Sequence, residues 1–368
     1  MASENAVNPP EPEVAIVAMT ANGVRLALLI QGKLPGSVCY APVRHRFAAA
    51  MGARPFDRLA SIFPDLWKRH RSLICIMATG IVVRLAAPLL RNKAKDPAVV
   101  VLDERGHFAI SLVSGHLGGA NALAAVVAEI TGGRPVITTS SDICGKPALD
   151  LIARERNLEV GNPPLLGRLA RAILEGEPFW VFDPDSLVAS SLRDRAEFFL
   201  VDREFFHPDD STGPVEVAGA PVGLWVSECE APRGLKCLAL HPRRLVVGVG
   251  CNRGTDSNEI LHLVQSVFRS ENLSLMSIRN LSSVDLKSDE PGILDAAHIL
   301  GRPVIFFSRE QIETVTVPNP SGMVEKHLGV QSVCEATALL SAKTTKLIVS
   351  KRKSLNATLA VARANSPL

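Results

Sequence analysis

The chain has 368 residues, of which 47% are hydrophobic and 21% charged, as is typical of a folded protein with a sizeable core and two or three domains. The net charge of +3, the single tyrosine and the three tryptophans argue against a nucleic-acid-binding surface. No apolar run reaches the about 18 residues of a membrane span. The seven cysteines never form a Cys-x-x-Cys pair, which argues against a disulfide framework and a structural zinc site. We therefore expect a cytoplasmic protein that contacts neither nucleic acid nor a membrane.

Changes in composition along the chain predict four segments. Residues 1–12 are acidic and proline-containing and lack the blocks of a signal peptide, so we expect a disordered leader. Residues 13–134 are predicted to form an N-terminal α/β domain and residues 243–368 a C-terminal α/β domain. Residues 135–242 are predicted to form a smaller connecting domain of α/β or α+β type.

Apolar strands alternate with helices in the first of these domains. Continuous apolar runs predict buried strands, and helical spacing of apolar residues predicts the elements between them. The predicted strands are Val14–Met19, Leu73–Met77, Val99–Leu102, Phe108–Val113 and Pro135–Thr139, and the predicted helices are Val24–Ile30, Phe56–Trp67, Ile81–Leu90 and Ala122–Ile130. A turn over Asp103–Gly106 separates two of the strands.

The segment Ser111–Asn121 places three glycines and a histidine between a strand and a helix. Such a turn leaves backbone N–H groups unpaired at the positive end of the helix dipole and suits an anionic ligand. His116 is flanked by glycine, is poorly placed for core packing, and can act as a general acid or base near neutral pH. The residues predicted to contact the ligand here are Ser114, Gly115, Gly118, Gly119 and Asn121. The alternative is that the glycines serve only close packing of the helix on the sheet.

The middle of the chain carries no motif associated with chemistry. It contains a predicted helix at Leu165–Leu174 and a predicted strand at Phe179–Phe182. We expect this domain to connect and position the other two.

The C-terminal domain again begins with a strand, a glycine loop and a helix. The strand is predicted at Leu245–Val249, the loop at Gly250–Thr255 and the helix at Asp256–Arg269, where Asp256 and Glu259 have the spacing of a capping box. The remaining predicted strands are Leu281–Asp285, Val304–Ser308, Ile312–Val317, Lys346–Val349 and Thr358–Arg363, and the remaining predicted helices are Ile293–Leu300 and Ser332–Ser341. Both terminal domains are therefore predicted to be α/β with largely parallel sheets. Ligands of such sheets bind beyond the carboxyl ends of strands, where we expect both glycine loops to face one shared cleft.

Several residues of the C-terminal loop suit an anionic ligand. A guanidinium can hold a carboxylate by paired hydrogen bonds, so Arg253 with Thr255 is predicted to bind one, beside Gly250 and Gly254. Cys251 precedes a helix, where a thiolate is favoured, but no partner histidine is identifiable. Lys287 lies in a charged segment that is either a solvated turn or a further part of this site.

Three familiar catalytic or nucleotide-binding motifs are absent. Gly248-x-Gly250 has Arg253 where the dinucleotide fingerprint requires its third glycine. The chain has no phosphate-binding loop of the form G-x-x-x-x-G-K-[ST]. Ser114 lacks the first glycine of the G-x-S-x-G turn of serine hydrolases.

Separated motifs in the chain resemble the cobalamin-biosynthesis CbiG family, the cobalt-precorrin-5A hydrolases. The first group lies within Leu73–Asn121 and includes Ala-Thr-Gly-Ile-Val-Val-Arg and Ser-Gly-His-Leu-Gly-Gly-Ala-Asn. The second group comprises Gly-Val-Gly-Cys-Asn-Arg-Gly-Thr at 248–255, Asp-Leu-Lys-Ser-Asp-Glu-Pro-Gly at 285–292, Val-Pro-Asn-Pro-Ser at 317–321 and Asn-Ala-Thr-Leu-Ala-Val-Ala at 356–362. The likeness extends over nearly the whole chain. It is specific, because the separated motifs occur in the family's order.

The resemblance implies a hydrolase of the anaerobic route to vitamin B12. The family opens the δ-lactone of cobalt-precorrin-5A and releases acetaldehyde, giving cobalt-precorrin-5B. The substrate is a cobalt corrinoid that brings its own metal, so no cofactor and no protein metal site is expected. Contact with other pathway enzymes and a homodimer are compatible with the resemblance.

The catalytic residues are predicted from residue type and loop position. His116, or alternatively Asp103 or Glu104, is predicted to activate the water that attacks the lactone. Backbone N–H groups of Gly118 and Gly119 would stabilise the developing oxyanion. The rival functions are a non-catalytic carrier of the corrinoid intermediate and an unrelated nucleotide-binding α/β enzyme, the second disfavoured by the broken glycine fingerprint.

Overall fold

A computed structural model describes residues 13–92, 95–116, 118–205, 220, 222–318 and 332–365. The predicted leader at 1–12 lies outside these ranges, as do Asn319–Ser321 of the motif at 317–321. The chain forms two compact units, Met1–Leu151 and Ile152–Leu368. Within the described ranges, no helix combines the length and the apolar character that a membrane crossing requires.

The first unit is built on one sheet with helices on both faces. Its strands are β1 Val14–Ala18, β2 Ser37–Pro42, β3 Arg54–Phe56, β4 Ser72–Ile76, β5 Ala98–Leu102, β6 Phe108–Val113 and β7 Arg134–Val136. Their order is β3-β2-β1-β4-β5-β6-β7, and the neighbouring pairs are parallel except β5 and β6. The helices are α1 Ala21–Lys33, α2 Arg46–Ala50, α3 Leu59–Arg69, α4 Thr79–Ala86, α5 Ala120–Thr131 and α6 Ser140–Ile143.

Alternation along β1 shows why two helical layers are needed. Ile16 and Ala18 pack into a core beneath α1 and α5, whereas Ala15 and Val17 pack into a second core beneath α3 and α4. A strand buried on both faces is expected to be apolar throughout, and this strand is. The helix α5 ends at Gly132, whose φ of 72° is the left-handed conformation that glycine adopts without strain.

The second unit contains two five-stranded sheets. The strands of its first sheet are β8 Leu158–Val160, β9 Phe179–Phe182, β10 Phe198–Leu200, β11 Gly223–Val226 and β12 Cys237–Pro242, in the order β10-β9-β11-β12-β8 with only β8 antiparallel. The accompanying helices are α7 Leu149–Glu155, which begins in the first unit, α8 Pro164–Glu175 and α9 Ala189–Leu192. Parallel strands joined through helices place this region in the α/β class.

The second sheet of this unit carries the C-terminal glycine loop. Its strands are β13 Leu245–Cys251, β14 Ile278–Val284, β15 Val304–Phe307, β16 Leu347–Lys353 and β17 Ala357–Arg363, in the order β15-β14-β13-β17-β16. The helices are α10 Ser257–Ser270, α11 Pro291–Leu300, α12 Arg309–Glu313 and α13 Val333–Ala342. The strands β13, β14 and β15 run parallel, and β17 runs antiparallel to both of its neighbours. The predicted α/β fold class is confirmed.

The strand predicted at Ile312–Val317 is wrong, because its first residues belong to the helix α12. Ser308 and Gln311 form a capping box, in which the Ser308 N–H donates to Gln311 Oε1 at 2.9 Å and the Ser308 hydroxyl accepts from the Gln311 N–H. This cap commits the chain to a helix at Arg309. Ile312 lies on that helix and is buried, so its apolar character reflects packing of the helix against the core.

Candidate functional site

The loop between β6 and α5 folds tightly on its own backbone. Ser114 has a φ of 57° and Gly119 a φ of 89°, both in the left-handed region. The Ala120 N–H donates to Ser114 O at 3.1 Å, and the Gly119 N–H donates to His116 O at 3.0 Å. The Gly119 N–H is therefore already bonded in this conformation, and the predicted oxyanion role would require the loop to release it.

Two glycines of the loop stand where no side chain fits. A Cβ at Gly115 would lie 2.7 Å from Asn121 Oδ1, and one at Gly118 would lie 2.2 Å from Ser114 Cβ. The close approach that these glycines permit is within the loop and to the first turn of α5, whereas the alternative considered from the sequence was packing of the helix on the sheet. It also brings His116 and Asn121 to the same side of the loop, because the chain reverses between them.

His116 is bonded to two side chains of the segment that follows β7. Its Nε2 lies 2.7 Å from Asp142 Oδ2 and 2.9 Å from Ser141 Oγ. An ionised carboxylate only accepts, so the hydrogen of the neutral ring lies on Nε2. Nδ1 is then the nitrogen with a lone pair for an incoming proton. The side chains of His116 and Asp142 are 19% and 39% exposed, so a ligand can reach them.

Asn121 holds this carboxylate in place. Its Nδ2 donates to Asp142 Oδ2 at 2.8 Å and to Thr139 Oγ1 at 3.1 Å, while its Oδ1 accepts from the Ser111 hydroxyl at 2.7 Å. The residue is 9% exposed and makes these bonds at the buried start of α5. These bonds position Asp142, and the predicted contact of Asn121 with a ligand stays a prediction.

Asp142 and Ser141 are not predicted from the sequence as site residues. Asp142 and Ser141 lie beside His116 because β6 and β7 are parallel neighbours. The segments that follow the two strands therefore emerge at the same edge of the sheet. The polar run Ser140–Asp142, directly after the predicted strand Pro135–Thr139, is the signal that could have indicated them.

Asp103 and Glu104 do not accompany His116. They form the turn of the β5–β6 hairpin, where Leu102 pairs with Ala109. His116 follows the opposite end of β6, about 15 Å away at about 3.3 Å per residue. The two carboxylates line a separate pocket of about 360 Å³ at the carboxyl edge of β4 and β5.

The carboxylate of Asp103 is engaged in shaping its own turn. It accepts from the N–H groups of Arg105 at 2.9 Å and Phe108 at 2.8 Å. Desolvation acts to raise the pKa of Asp103, but these backbone hydrogen bonds outweigh it and hold the pKa below its ordinary value. A carboxylate held in this way is a weak base and fits a structural role.

In the C-terminal sheet, three of the family-like segments meet at the carboxyl edge of β13. The Asn252 N–H donates to Asn356 O at 2.9 Å, which joins the glycine loop to the start of β17. The segment 285–292 approaches from β14, since a Cβ at Gly292 would lie 2.0 Å from Thr255 O. Thr255 is buried and its hydroxyl donates to Asn252 O at 2.8 Å, so it closes the loop and is not exposed to a ligand.

The cations predicted to bind a carboxylate are occupied by carboxylates of the chain itself. Arg253 NH1 donates to Asp289 Oδ1 at 2.5 Å and NH2 donates to Leu286 O at 2.8 Å. Glu290 accepts from the Gly254 N–H at 2.9 Å and from Lys287 Nζ at 3.3 Å. The structure thus brings Lys287, for which the sequence left two interpretations open, close to Arg253 and Gly254, with two acids between them.

Gly250 and Cys251 of the same loop are packed against neighbouring parts of the protein. A Cβ at Gly250 would lie 2.8 Å from Thr358 Oγ1, so glycine permits β17 to pack there. At Cys251, burial raises the pKa of the thiol, even though Lys287 acts in the opposite direction, and so disfavours the thiolate that the helix start alone would favour. Among the described residues, no three His, Cys, Asp or Glu side chains are grouped as metal ligands.

Both terminal regions match sequence models of a single family. "Cobalamin synthesis G N-terminal" matches residues 61–142, which include His116 and Asp142, and "Cobalamin synthesis G C-terminus" matches residues 245–362. The chain is 33% identical over 340 residues to the cobalt-precorrin-5A hydrolase of Salmonella typhimurium, covering 91% of this chain and 93% of that protein.

Two further relatives extend this comparison. The cobalt-precorrin-5A hydrolase of Priestia megaterium is 29% identical over 316 residues, covering 82% of this chain and 80% of the relative. Protein CobE of a Sinorhizobium species is 33% identical over 121 residues, covering 32% of this chain and 79% of the relative. The chain belongs to the CbiG family of cobalamin-synthesis proteins.

Proposed function

We propose that this protein hydrolyses cobalt-precorrin-5A, opening its δ-lactone and releasing acetaldehyde to give cobalt-precorrin-5B. The observation that carries the proposal is the His116–Asp142 pair, a base with its carboxylate, inside the region that matches the family's N-terminal model. The full-length relatives that bear the hydrolase name support the substrate.

In the first step a water molecule attacks the lactone carbonyl. His116 Nδ1 takes the proton of that water, and Asp142, bonded to Nε2, stabilises the imidazolium that forms. When the tetrahedral intermediate collapses, the lactone C–O bond breaks and the departing alkoxide takes the proton from His116. The products of this step are a carboxylic acid and an alcohol, with one water consumed.

The second step releases the two-carbon unit. The alcohol carbon bears a methyl group and is joined to the macrocycle by a C–C bond. Loss of the hydroxyl proton converts this carbon into the carbonyl of acetaldehyde, while the electrons of the C–C bond pass into the conjugated ring and are taken up there with a proton. His116 can accept the hydroxyl proton, so one base serves both steps.

Ser141 is disfavoured as a covalent nucleophile. Its hydroxyl shares Nε2 with Asp142, and the hydrogen of the neutral ring lies on that nitrogen, which therefore cannot take the serine proton. The water mechanism predicts that Ser141→Ala retains hydrolysis, whereas an acyl-serine route requires its loss.

The function is tested by anaerobic incubation of the purified chain with cobalt-precorrin-5A. Acetaldehyde is trapped as a hydrazone, and the mass of the corrinoid product is measured by mass spectrometry. We expect stoichiometric acetaldehyde and the ring-opened product. Tight binding of the corrinoid without acetaldehyde would instead identify a carrier.

The cleft shared by the His116 loop and the C-terminal glycine loop stays a prediction. A crystal structure with a bound corrinoid would test it directly.

A further inference from the structure

We propose that Asp289 occupies, in the ligand-free protein, the position that a carboxylate of the substrate takes on binding. The inference rests on the proposed function, because it names how that substrate's acidic side chains are received. It concerns the cluster of Arg253, Lys287, Asp289 and Glu290, in which two cations face two acids.

Glu290 is the permanent member of the acidic pair. Its side chain is 1% exposed and bonds both the Gly254 N–H and Lys287 Nζ, so its removal would leave the mostly buried Lys287 ammonium without this partner. Arg253 NH1 lies 3.8 Å from Glu290 Oε2, too far for a direct hydrogen bond. Glu290 thus fixes the loop and Lys287 but does not saturate the guanidinium.

Asp289 is the exchangeable member. Its side chain is 71% exposed, and the side chain of its partner Arg253 is 59% exposed. Exposed ion pairs of this kind contribute little to stability, because both groups are well solvated when apart. An incoming carboxylate therefore displaces Asp289 at small cost.

The guanidinium stays in position when Asp289 leaves. Arg253 NH2 donates to the carbonyl oxygen of Leu286 at 2.8 Å, a backbone contact that does not involve Asp289. NH1 then keeps its direction and offers its hydrogen to a new acceptor. A receptor group held in advance loses little conformational entropy on binding.

The charge balance selects a free acid over an amide. Arg253 and Lys287 carry two positive charges and Asp289 and Glu290 two negative ones, so exchange of one carboxylate for another leaves the cluster neutral. A neutral amide cannot replace Asp289 without leaving an unbalanced positive charge. We therefore expect the C-terminal loop to discriminate corrinoids by the ionisation of their peripheral groups.

The test compares Asp289→Asn with Asp295→Asn in the full chain. Both variants remove one negative charge; Asp295 is exposed one turn into α11, and its side chain makes no hydrogen bond within the described part of the chain. The probes are dicyanocobyrinic acid, whose peripheral groups are carboxylates, and dicyanocobinamide, whose peripheral groups are amides. Dissociation constants are measured by equilibrium dialysis.

We expect Asp289→Asn to bind the acid about 1.4- to 5-fold more tightly than Asp295→Asn does, the range that an exposed ion pair implies. Affinity for the amide should be the same in both variants, and Arg253→Gln should weaken binding of the acid. Equal or weaker binding of the acid by Asp289→Asn would overturn the proposal. If the wild-type chain binds neither probe, the KM for cobalt-precorrin-5A provides the same comparison. Acetaldehyde release by the wild-type chain is a separate readout, so failure here is distinguishable from failure of the proposed function.

Discussion

Asn121 is the residue whose change tests the geometry of the N-terminal site most sharply. Asn121→Asp keeps the shape of the side chain but replaces its two N–H donors with an acceptor. The new oxygen would stand about 3 Å from Asp142 Oδ2, where the amide nitrogen now donates at 2.8 Å. A hydrogen bond that joins two loops is thereby converted into a repulsion between two carboxylates.

The cost follows from the bonds that the amide makes. A hydrogen bond to a charged group contributes about 1.5–3 kcal/mol, and the bond to Thr139 is largely kept because that hydroxyl can donate instead. Two like charges about 4 Å apart at an effective dielectric constant of about 20 repel by roughly 4 kcal/mol, which solvent reduces here because Asp142 is 39% exposed. We expect the free energy of unfolding to fall by about 3–5 kcal/mol at pH 7.

The assay is urea denaturation at several pH values, with acetaldehyde release measured alongside. In the variant, a proton shared by the two carboxylates restores a hydrogen bond, so the folded state binds that proton more tightly than the unfolded chain. The stability deficit should therefore be largest at high pH, should shrink as the pH falls towards about 4, and should level off below the ordinary pKa of a carboxyl group.

Asn22→Asp is the matched control, since Asn22 is exposed at the start of α1 and accepts from Arg25 at 3.1 Å. It should change stability by less than about 0.5 kcal/mol. An Asn121→Asp protein as stable and as active as this control would refute the description of the site.

Two further changes probe the folding of each unit. Gly118→Ala should abolish acetaldehyde release and destabilise the loop, because its Cβ would lie 2.2 Å from Ser114 Cβ; full activity in this variant would show that the loop has another conformation. Burial acts to raise the pKa of Glu159, but the hydrogen bond and charge of Arg243 and the charge of Arg302 outweigh it and hold the pKa below its ordinary 4.5. Because the folded pKa is depressed, this carboxylate stabilises the fold above about pH 4.5, and the stabilisation is lost as the pH falls towards the folded pKa. Glu159→Gln should accordingly lose stability at neutral pH and show a shallower acid-induced loss than the wild type, which titration of thermal stability would measure.

Local patterns were sufficient to predict most strands of the molecule. The apolar runs at β4 and β5 and the turn Asp103–Gly106 are short-range features, and the structure contains each of them. The same turn also makes β6 antiparallel to β5, which is why the His116 loop lies at the edge opposite the carboxyl ends of β4 and β5. The sequence predicts the turn, but the consequence for the site depends on sheet order.

The features that local patterns did not predict depend on contacts between residues far apart in the sequence. Glu259 has the spacing of a capping box with Asp256, yet its carboxylate accepts from the Asn356 N–H at 2.6 Å and from the Ser354 hydroxyl at 2.6 Å. The N-cap bond of Asp256 to Asn258 forms without it. Asp142 was missed for the same reason, because it reaches His116 only through the pairing of β6 with β7.

Single-turnover release of acetaldehyde from cobalt-precorrin-5A tests whether His116 is the base of the hydrolysis. The measurement compares wild-type protein with His116→Ala, after circular dichroism has shown that the variant is folded. If His116 is the base, the variant still binds the corrinoid and releases acetaldehyde at least about 100-fold more slowly, the range expected for loss of a general base. Release at the wild-type rate by folded His116→Ala would contradict this role.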